Sequence, residues 1–170
     1  MQDHLVLKKI IENRKSTFPK DYSDKQIARE ILDEILHSAN YAPSHKKTRP
    51  WLLIPFQGDE KDHLGKTLAE IYRQTTQPAT FLEKKYTDIQ NKIAGADTIV
   101  AICISFSGIV PEWEEVAATA MAVQNMYLTC TVHKVGCYWS TPTMKDHLGP
   151  FLELDAQQKC FGLFYIGSLD

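Results

Sequence analysis

The segment from Glu114 to His133 constrains the fold more than any other part of the chain. Its spacing predicts a long helix, and apolar side chains cover nearly the whole circumference of that helix. They are Val116, Ala117, Ala118, Ala120, Met121, Ala122, Val123, Met126, Tyr127, Leu128, Cys130 and Val132. Such a helix must be buried on all sides. A chain of 170 residues offers few such positions, so a second copy of the chain is the natural cover for the remaining face.

The rest of the chain alternates helical and strand-like patterns. Four further helices are predicted. The first stops near Arg14 and carries Leu5, Ile10 and Ile11, and the second is ended by Pro43 and carries Ile27, Ile31, Leu32, Ile35 and Leu36. The third begins at Gly58-Asp59 and carries Leu64, Leu68 and Ile71, and the fourth covers Phe81 to Ile93. The segment Ser23-Asp24-x-Gln26 is predicted to cap the second of these helices.

Three apolar segments are predicted as strands. Thr98 to Ser105 is too apolar and β-branched for a surface strand, so it is placed centrally in a sheet. Leu52 to Phe56 is predicted as a short buried strand, and Cys160 to Ile166 as the last strand. Without an internal repeat, a low-complexity segment or a linker, residues 1–170 are interpreted as one α+β domain.

Composition excludes several classes of function. A formal charge of -2 gives no net attraction to nucleic acid or to anionic lipid, so any anion site must be local. No apolar run reaches the roughly 20 residues of a membrane helix. The start of the chain, Met1 to His4, lacks the layout of a secretory signal, which favours the cytoplasm. Four cysteines without a C-x-x-C pair are predicted to be reduced, buried thiols.

Two short segments place cations and hydroxyls at the end of a helical pattern. The first is Asn13-Arg14-Lys15-Ser16, and the second runs from Tyr41 to Trp51 with the sequence YAPSHKKTRPW. Exposed backbone groups and charged side chains can together hold an anion at such places. Taken alone, the first segment could equally be a solvated basic helix end, which the helix dipole favours.

Together these segments resemble the nitroreductase family. Its members carry an Arg-Arg-Ser-like triplet at the end of the first helix and an AP(S/D)xxxxQPW-like turn before the first strand, and both line a bound flavin mononucleotide (FMN). The likeness is greatest to the small branch of the family, in which a His stands at the position of His45. The stretch from Glu114 to Trp139 also looks like the family's central helix and the strand that follows, including Gln124-Asn125 and Gly136.

The resemblance implies a fold and an activity. The expected fold is α+β, with a central, mostly antiparallel sheet flanked by helices and a buried central helix at a homodimer interface. The expected activity is transfer of hydride from NAD(P)H through flavin N5 to a nitroaromatic, a quinone or a similar small-molecule acceptor, with FMN as the cofactor. No protein nucleophile and no metal are required.

The resemblance also implies cofactor contacts in the first two segments. Arg14 and Lys15 supply cationic donors, and Ser16 supplies a hydroxyl and a backbone N–H, which suit a phosphate or the polar edge of a flavin. Tyr41 and His45 would reach the flavin of the partner subunit.

A third segment, from Gly136 to Pro142, can lay an apolar face and backbone donors against a flavin ring. The small branch of the family has Trp-Arg-Ser where this chain has Trp139, Ser140 and Thr141, so the Arg is missing. Without the family likeness, this segment would be an ordinary turn with a core Trp.

Two further departures from the family pattern concern the phosphate and the ring. Arg49 stands where the family usually has Gln, and the sequence ends at Asp170, where family members continue with a segment that often adds a basic residue. Two outcomes are therefore expected: either FMN binds less tightly than in those members, or Arg14, Lys15 and Arg49 carry the phosphate alone.

No other catalytic pattern is present. The sequence has no G-x-S-x-G, H-E-x-x-H, P-loop or G-x-G-x-x-G motif, so activated-serine hydrolysis and zinc chemistry lack support. The acidic run Glu112, Glu114 and Glu115 is interpreted as charge pairing at a helix N-terminus. Two alternatives stay open: a flavin carrier or sensor without turnover, and a structural dimer without a cofactor.

Overall fold

The computed structural model describes residues 2–169 and contains one four-stranded antiparallel sheet in the order β1-β2-β4-β3. The strands are β1 (Trp51–Phe56), β2 (Thr98–Ser105), β3 (Val135–Ser140) and β4 (Gln158–Ser168). The helices are α1 (Asp3–Asn13), α2 (Arg29–Ser38), α3 (Gly58–Thr75), α4 (Glu83–Ala94) and α5 (Glu112–Val132). Short 3-10 turns cover Pro19–Asp21, Ala39–Tyr41, His45–Lys47, Pro78–Thr80 and Thr143–His147. The predicted α+β class and antiparallel sheet are confirmed. None of the described helices is long and apolar enough to cross a membrane.

The sheet separates two hydrophobic cores. Helices α3 and α4 pack on one face through residues such as Leu64, Leu68 and Ile93, and α2 and α5 pack on the other through residues such as Ile35 and Met126. Strand β2 is buried along its length because its side chains alternate between the two cores. Its predicted central position is confirmed. The four cysteines are buried and free, as predicted.

Helix α5 buries only the face that it turns to the sheet, from Glu115 through Cys130. On the opposite face Ala120 is exposed, Met121 is 42% exposed and Trp113 is 69% exposed. The chain by itself therefore does not bury this helix on all sides. Helix α1, which contacts α5, contains no buried residue at all.

Helices α1 and α5 expose several large apolar side chains. They comprise Leu5, Val6, Leu7 and Ile11 of α1, each more than half exposed, and Trp113, Met121 and Val132 of α5. These seven residues are called the outer apolar residues below. Large exposed apolar surfaces mark interaction sites in soluble proteins.

The predicted cap of α2 is wrong. The helix begins at Arg29, and Ala28 at its N-cap makes no side-chain capping bond. The N–H of Ser23 instead donates to the carbonyl of Ser168 at 2.9 Å, so this segment runs beside the end of β4. Asp97 takes part in the same region, because its carboxylate accepts the N–H of Ile27 at 3.1 Å.

Two further differences concern strands. Strand β1 is an edge strand whose residues are mostly half-buried, with Pro55 exposed, so its predicted full burial is wrong. Proline is tolerated at a sheet edge because it donates no ladder hydrogen bond. The segment that could have been an ordinary turn, Gly136 to Ser140, is part of strand β3.

The ring of Tyr22 packs against a pair of glycines on neighbouring strands. Gly136 of β3 and Gly167 of β4 lie opposite each other, and a Cβ added at Gly167 would stand 2.1 Å from the Tyr22 ring. The Tyr22 hydroxyl donates to the carbonyl of Thr17 at 2.8 Å, and burial raises the pKa of this phenol far above its ordinary value. The glycine pair thus lets Tyr22 hold the segment that follows Arg14.

Replacing Gly167 with alanine should lower the free energy of unfolding by about 1–3 kcal/mol, because the new methyl group displaces a packed aromatic ring. Gly149→Ala is the matched control, since a Cβ added there has no atom within 4 Å. Both changes reduce the entropy of the unfolded chain alike. Urea denaturation of the two variants measures the difference, and equal stabilities would contradict the packing described for Tyr22.

Candidate functional site

The first predicted segment leaves the end of α1 and reaches α5. Arg14 is the C-cap residue of α1, and its guanidinium carbon lies 5.2 Å from the centroid of the Tyr127 ring. The hydroxyl of Ser16 lies 3.2 Å from the hydroxyl of Tyr127. The next residue, Thr17, donates its N–H to the carbonyl of Cys137 in β3 at 2.8 Å. Lys15 is exposed.

Tyr127 connects this segment to the third predicted segment. The backbone N–H of Trp139 donates to the Tyr127 hydroxyl at 2.8 Å. The Tyr127 ring meets Phe164 edge-on, at 4.9 Å between centroids, and only 8% of the residue is exposed. Arg14, Ser16, Tyr127 and Trp139 are called the Tyr127 cluster below. The sequence interpretation assigned Tyr127 to the apolar surface of α5 alone, although a buried phenol ordinarily needs a hydrogen-bond partner.

The side chain of Trp139 has an unpartnered donor. Within residues 2–169, its indole Nε1 is buried and has no hydrogen-bond partner. The indole packs so closely on Gly162 that a Cβ there would stand 2.5 Å from Nε1. Gly162 has a φ of +146°, a conformation that side chains rarely adopt. An unpartnered buried N–H is uncommon in folded proteins.

The side chain of Ser140 lies on the other face of the sheet. Consecutive residues of a strand point to opposite faces, and the buried Ser140 hydroxyl accepts a hydrogen bond from Lys92 of α4 at 3.3 Å. Thr141 follows the strand and is exposed. The structure therefore joins Trp139, but not the Ser140 side chain, to Arg14 and Ser16.

Lys92, which sequence reasoning missed, is half-buried between aromatic rings. Its Nζ lies 4.6 Å from the ring centroid of Tyr138 and 4.8 Å from that of Tyr165. Burial lowers the pKa of Lys92, while its interaction with Tyr138 acts in the opposite direction. A lysine among helical polar residues gives no sequence signal for this position.

The lowered pKa of Lys92 predicts a pH dependence of stability. In the window between the folded pKa and the higher unfolded pKa, the unfolded chain binds more protons, so stability rises with pH. Lys92→Met should remove that rise. The free energy of unfolding of wild type should therefore increase relative to that of the variant as the pH increases. Urea denaturation near pH 7 and near pH 10.5 tests this. Lys66→Met, at an exposed position of α3, is the control. Parallel pH profiles for wild type and Lys92→Met would contradict the burial argument.

The second predicted segment forms a turn over residues 44–50, called the basic turn below. Lys46, Lys47 and Arg49 have φ values of 50°, 55° and 45°, in the left-handed region. The hydroxyl of Ser44 accepts the N–H of Arg49 at 3.1 Å. The side chain of His45 is 57% exposed, and its Nδ1 lies 2.5 Å from a carboxylate oxygen of Glu114. All three cations of the turn are exposed.

Tyr41 precedes the basic turn and is 75% exposed, with its hydroxyl 3.3 Å from Nε2 of His37. Among residues 2–169, no described hydrogen bond, ion pair or ring contact joins Tyr41, His45 or Arg49 to the Tyr127 cluster. In one chain, Tyr41, His45 and Arg49 are thus separate from the Tyr127 cluster.

The acidic run at the start of α5 lies in the first helical turn, as predicted. Carboxylates are stabilised there by the helix dipole. Two of them also have specific partners: Glu114 contacts His45, and the buried Glu115 accepts the N–H of Ser107 at 3.0 Å. Sequence spacing did not indicate the His45–Glu114 pair, since 69 positions separate the two residues.

The sequence model of the Nitroreductase family matches residues 11–168, so the chain belongs to the nitroreductase family. It is similar to YfhC of Bacillus subtilis (strain 168), with 23% identity over 143 residues that cover 83% of this chain and 72% of YfhC. These findings confirm the family predicted from the two motifs.

Solved structures confirm the fold. A nitroreductase-like family protein from Bacillus cereus gives a TM-score of 0.79 at 21% identity, covering 95% of this chain and 84% of that one. The FMN-dependent nitroreductase NfnB from Mycobacterium smegmatis, in complex with NADPH, gives a TM-score of 0.78 at 13% identity, covering 98% and 89%.

Proposed function

We propose that this chain is a single nitroreductase-like domain that works as a homodimer in the cytoplasm. It uses FMN to transfer hydride from NAD(P)H to a nitroaromatic, a quinone or a similar acceptor. The observation that carries the proposal is the Tyr127 cluster. It joins the Arg14–Ser16 segment to Trp139, two parts of the chain that the family resemblance independently assigned to a flavin site. Family membership supports the same reading. The name of YfhC refers to an NAD(P)H nitroreductase, and NfnB is an FMN-dependent enzyme in complex with NADPH.

The residues of the cluster fit FMN chemically. The Arg14 guanidinium stacks on a ring and has no described carboxylate partner within residues 2–169, so its donors are available to an anion. The Ser16 hydroxyl adds a neutral donor. When bound, FMN would supply the atom, N5, that accepts and donates hydride. The chain's part is to bind and orient two planar molecules in turn and to place positive charge near the reduced ring.

The proposed contacts come from two subunits. Arg14, Lys15, Ser16, Trp139, Ser140 and Thr141 of one chain would hold the cofactor together with Tyr41, His45 and Arg49 of the other. Ser140 would contribute through its backbone, because its hydroxyl is bonded to Lys92 on the opposite sheet face. The separation between the basic turn and the Tyr127 cluster in one chain supports a site completed by a second copy.

The outer apolar residues support the same dimer. Their exposure on α1 and α5 leaves the most apolar helix half covered in one chain, and a second copy would bury them. Small residues on the outer face of α5, such as Ala117 and Ala120, would let a second helix approach closely.

The test begins with the colour of the purified protein. We expect a yellow protein that releases FMN on denaturation, that takes up FMN again after removal, and whose bound flavin is bleached by NADH or NADPH under anaerobic conditions. Addition of a quinone or a nitroaromatic should restore the colour. Failure of the apoprotein to take up FMN would contradict the proposal. Binding of FMN without bleaching by either nucleotide would instead favour a flavin carrier or sensor.

A further inference from the structure

We propose that Tyr127 is a positioning residue of the cofactor site: its hydroxyl and ring hold Ser16, Arg14 and the Trp139 backbone in the arrangement that binds FMN. This inference rests on the proposed flavin function and adds a residue that does not itself need to touch the cofactor.

The hydroxyl of Tyr127 joins two segments. Trp139 N–H can only donate, so the phenol oxygen accepts at 2.8 Å and keeps its own hydrogen for another partner. The Ser16 hydroxyl, 3.2 Å away, is the neighbour that can accept it. When the Tyr127 hydroxyl donates to Ser16, the Ser16 hydrogen is free to point to an acceptor outside the cluster. Chained hydrogen bonds of this kind polarise one another and strengthen the terminal donor.

The ring of Tyr127 holds the cation. The Arg14 guanidinium carbon lies 5.2 Å from the ring centroid, within the range of a cation–π contact. The ring itself is fixed by its edge-on contact with Phe164 and by burial. Stacking restricts the guanidinium without using its N–H donors, which stay available to an anionic group.

Packing alone does not account for the hydroxyl. Phenylalanine at this position would keep the ring contacts with Phe164 and Arg14, and it would fill the same space beside β4. The hydroxyl's two described partners are Ser16 and the Trp139 backbone, both in segments assigned to the cofactor. Tyr127→Phe therefore separates positioning from packing.

The experiment measures the FMN dissociation constant of the apoprotein by flavin fluorescence. Tyr127→Phe should raise it about 3- to 10-fold, the size expected for one lost neutral hydrogen bond. Tyr72→Phe is the matched control, because the Tyr72 hydroxyl also accepts a backbone N–H, that of Leu82 at 3.1 Å, in the core on the other sheet face. That control should lose stability and keep its FMN affinity.

A double-variant cycle measures the coupling between Ser16 and Tyr127 in FMN binding, which a purely structural role of Tyr127 would not produce. Ser16→Ala should weaken FMN binding by itself, and adding Tyr127→Phe should cause little further loss, since both changes break the same chain of donors. Fully additive losses, or a Tyr127→Phe affinity equal to that of Tyr72→Phe, would overturn the proposal.

The same titration separates this proposal from the proposed function. A wild-type apoprotein that does not bind FMN would overturn both, whereas wild-type binding with an unaffected Tyr127→Phe would overturn only the positioning role. If Tyr127→Phe fails to fold, Ser16→Ala at its exposed position decides the matter, and unchanged affinity there overturns the proposal.

Discussion

Replacing Arg14 with alanine should raise the FMN dissociation constant by about 10- to 150-fold, which corresponds to roughly 1.5–3 kcal/mol for a lost charge-assisted hydrogen bond. The structure supports this size, because the guanidinium is held over the Tyr127 ring and has no described carboxylate partner within residues 2–169. Arg14→Lys should recover only part of the loss, because a point charge cannot reproduce the planar fork of donors.

The stability of the apoprotein should change much less. The contact between Arg14 and the Tyr127 ring contributes about 0.5–1 kcal/mol at a partly exposed position, so unfolding should shift by no more than that. Arg73→Ala, which breaks an exposed ion pair with Glu70 on α3, is the matched control and should leave FMN affinity unchanged. Flavin fluorescence titration of the apo forms measures all four proteins. Equal affinities for wild type and Arg14→Ala would mean that the first motif does not bind the cofactor.

Ala120→Glu should convert a dimer into a monomer at micromolar concentration. Ala120 is exposed on the outer face of α5, beside Met121, so the new carboxylate would be buried without a partner in an interface built on that face. Burying such a charge costs several kcal/mol per copy, and a symmetric interface contains two copies. The free energy of association should therefore fall by at least about 3 kcal/mol.

Sedimentation velocity decides this prediction. Ala79→Glu makes the same change at an exposed position in the turn Pro78–Thr80, away from α1 and α5, and should leave the dimer intact. A monomeric wild type would rule out the dimer itself. A well-folded Ala120→Glu protein that remains dimeric would place the interface elsewhere.

The fold was largely predictable because its main signals are local. The unbroken apolar run of β2 required a strand buried on both faces, and the structure places it in the middle of the sheet. The predictions that failed depended on contacts between residues far apart in the sequence. Ser23 looked like a helix cap because the sequence does not reveal that it lies beside Ser168. Strand β1 has the apolar composition of a buried strand, and only the strand order makes it an edge.

The candidate site shows the same division. The motifs indicated Arg14, Ser16 and Trp139, and the structure brings these three residues together. Tyr127, the residue that joins them, gave no sequence signal, because it lies in an apolar helix 111 positions from Ser16 along the chain. Trp139 and Ser140 point to opposite faces because consecutive residues of a strand alternate. The sequence did not predict this, because the same segment could also have been an ordinary turn.

The left-handed residues of the basic turn lower the stability of the chain. Outside glycine, each such residue carries roughly 1–3 kcal/mol of conformational strain. Lys46, Lys47 and Arg49 carry it within four positions, and like charges repel there as well. Glycine at Lys47 would relieve the backbone, but it would remove a cation from a turn proposed to face an anion. At these three positions, a change that stabilises the backbone would therefore make the turn less basic.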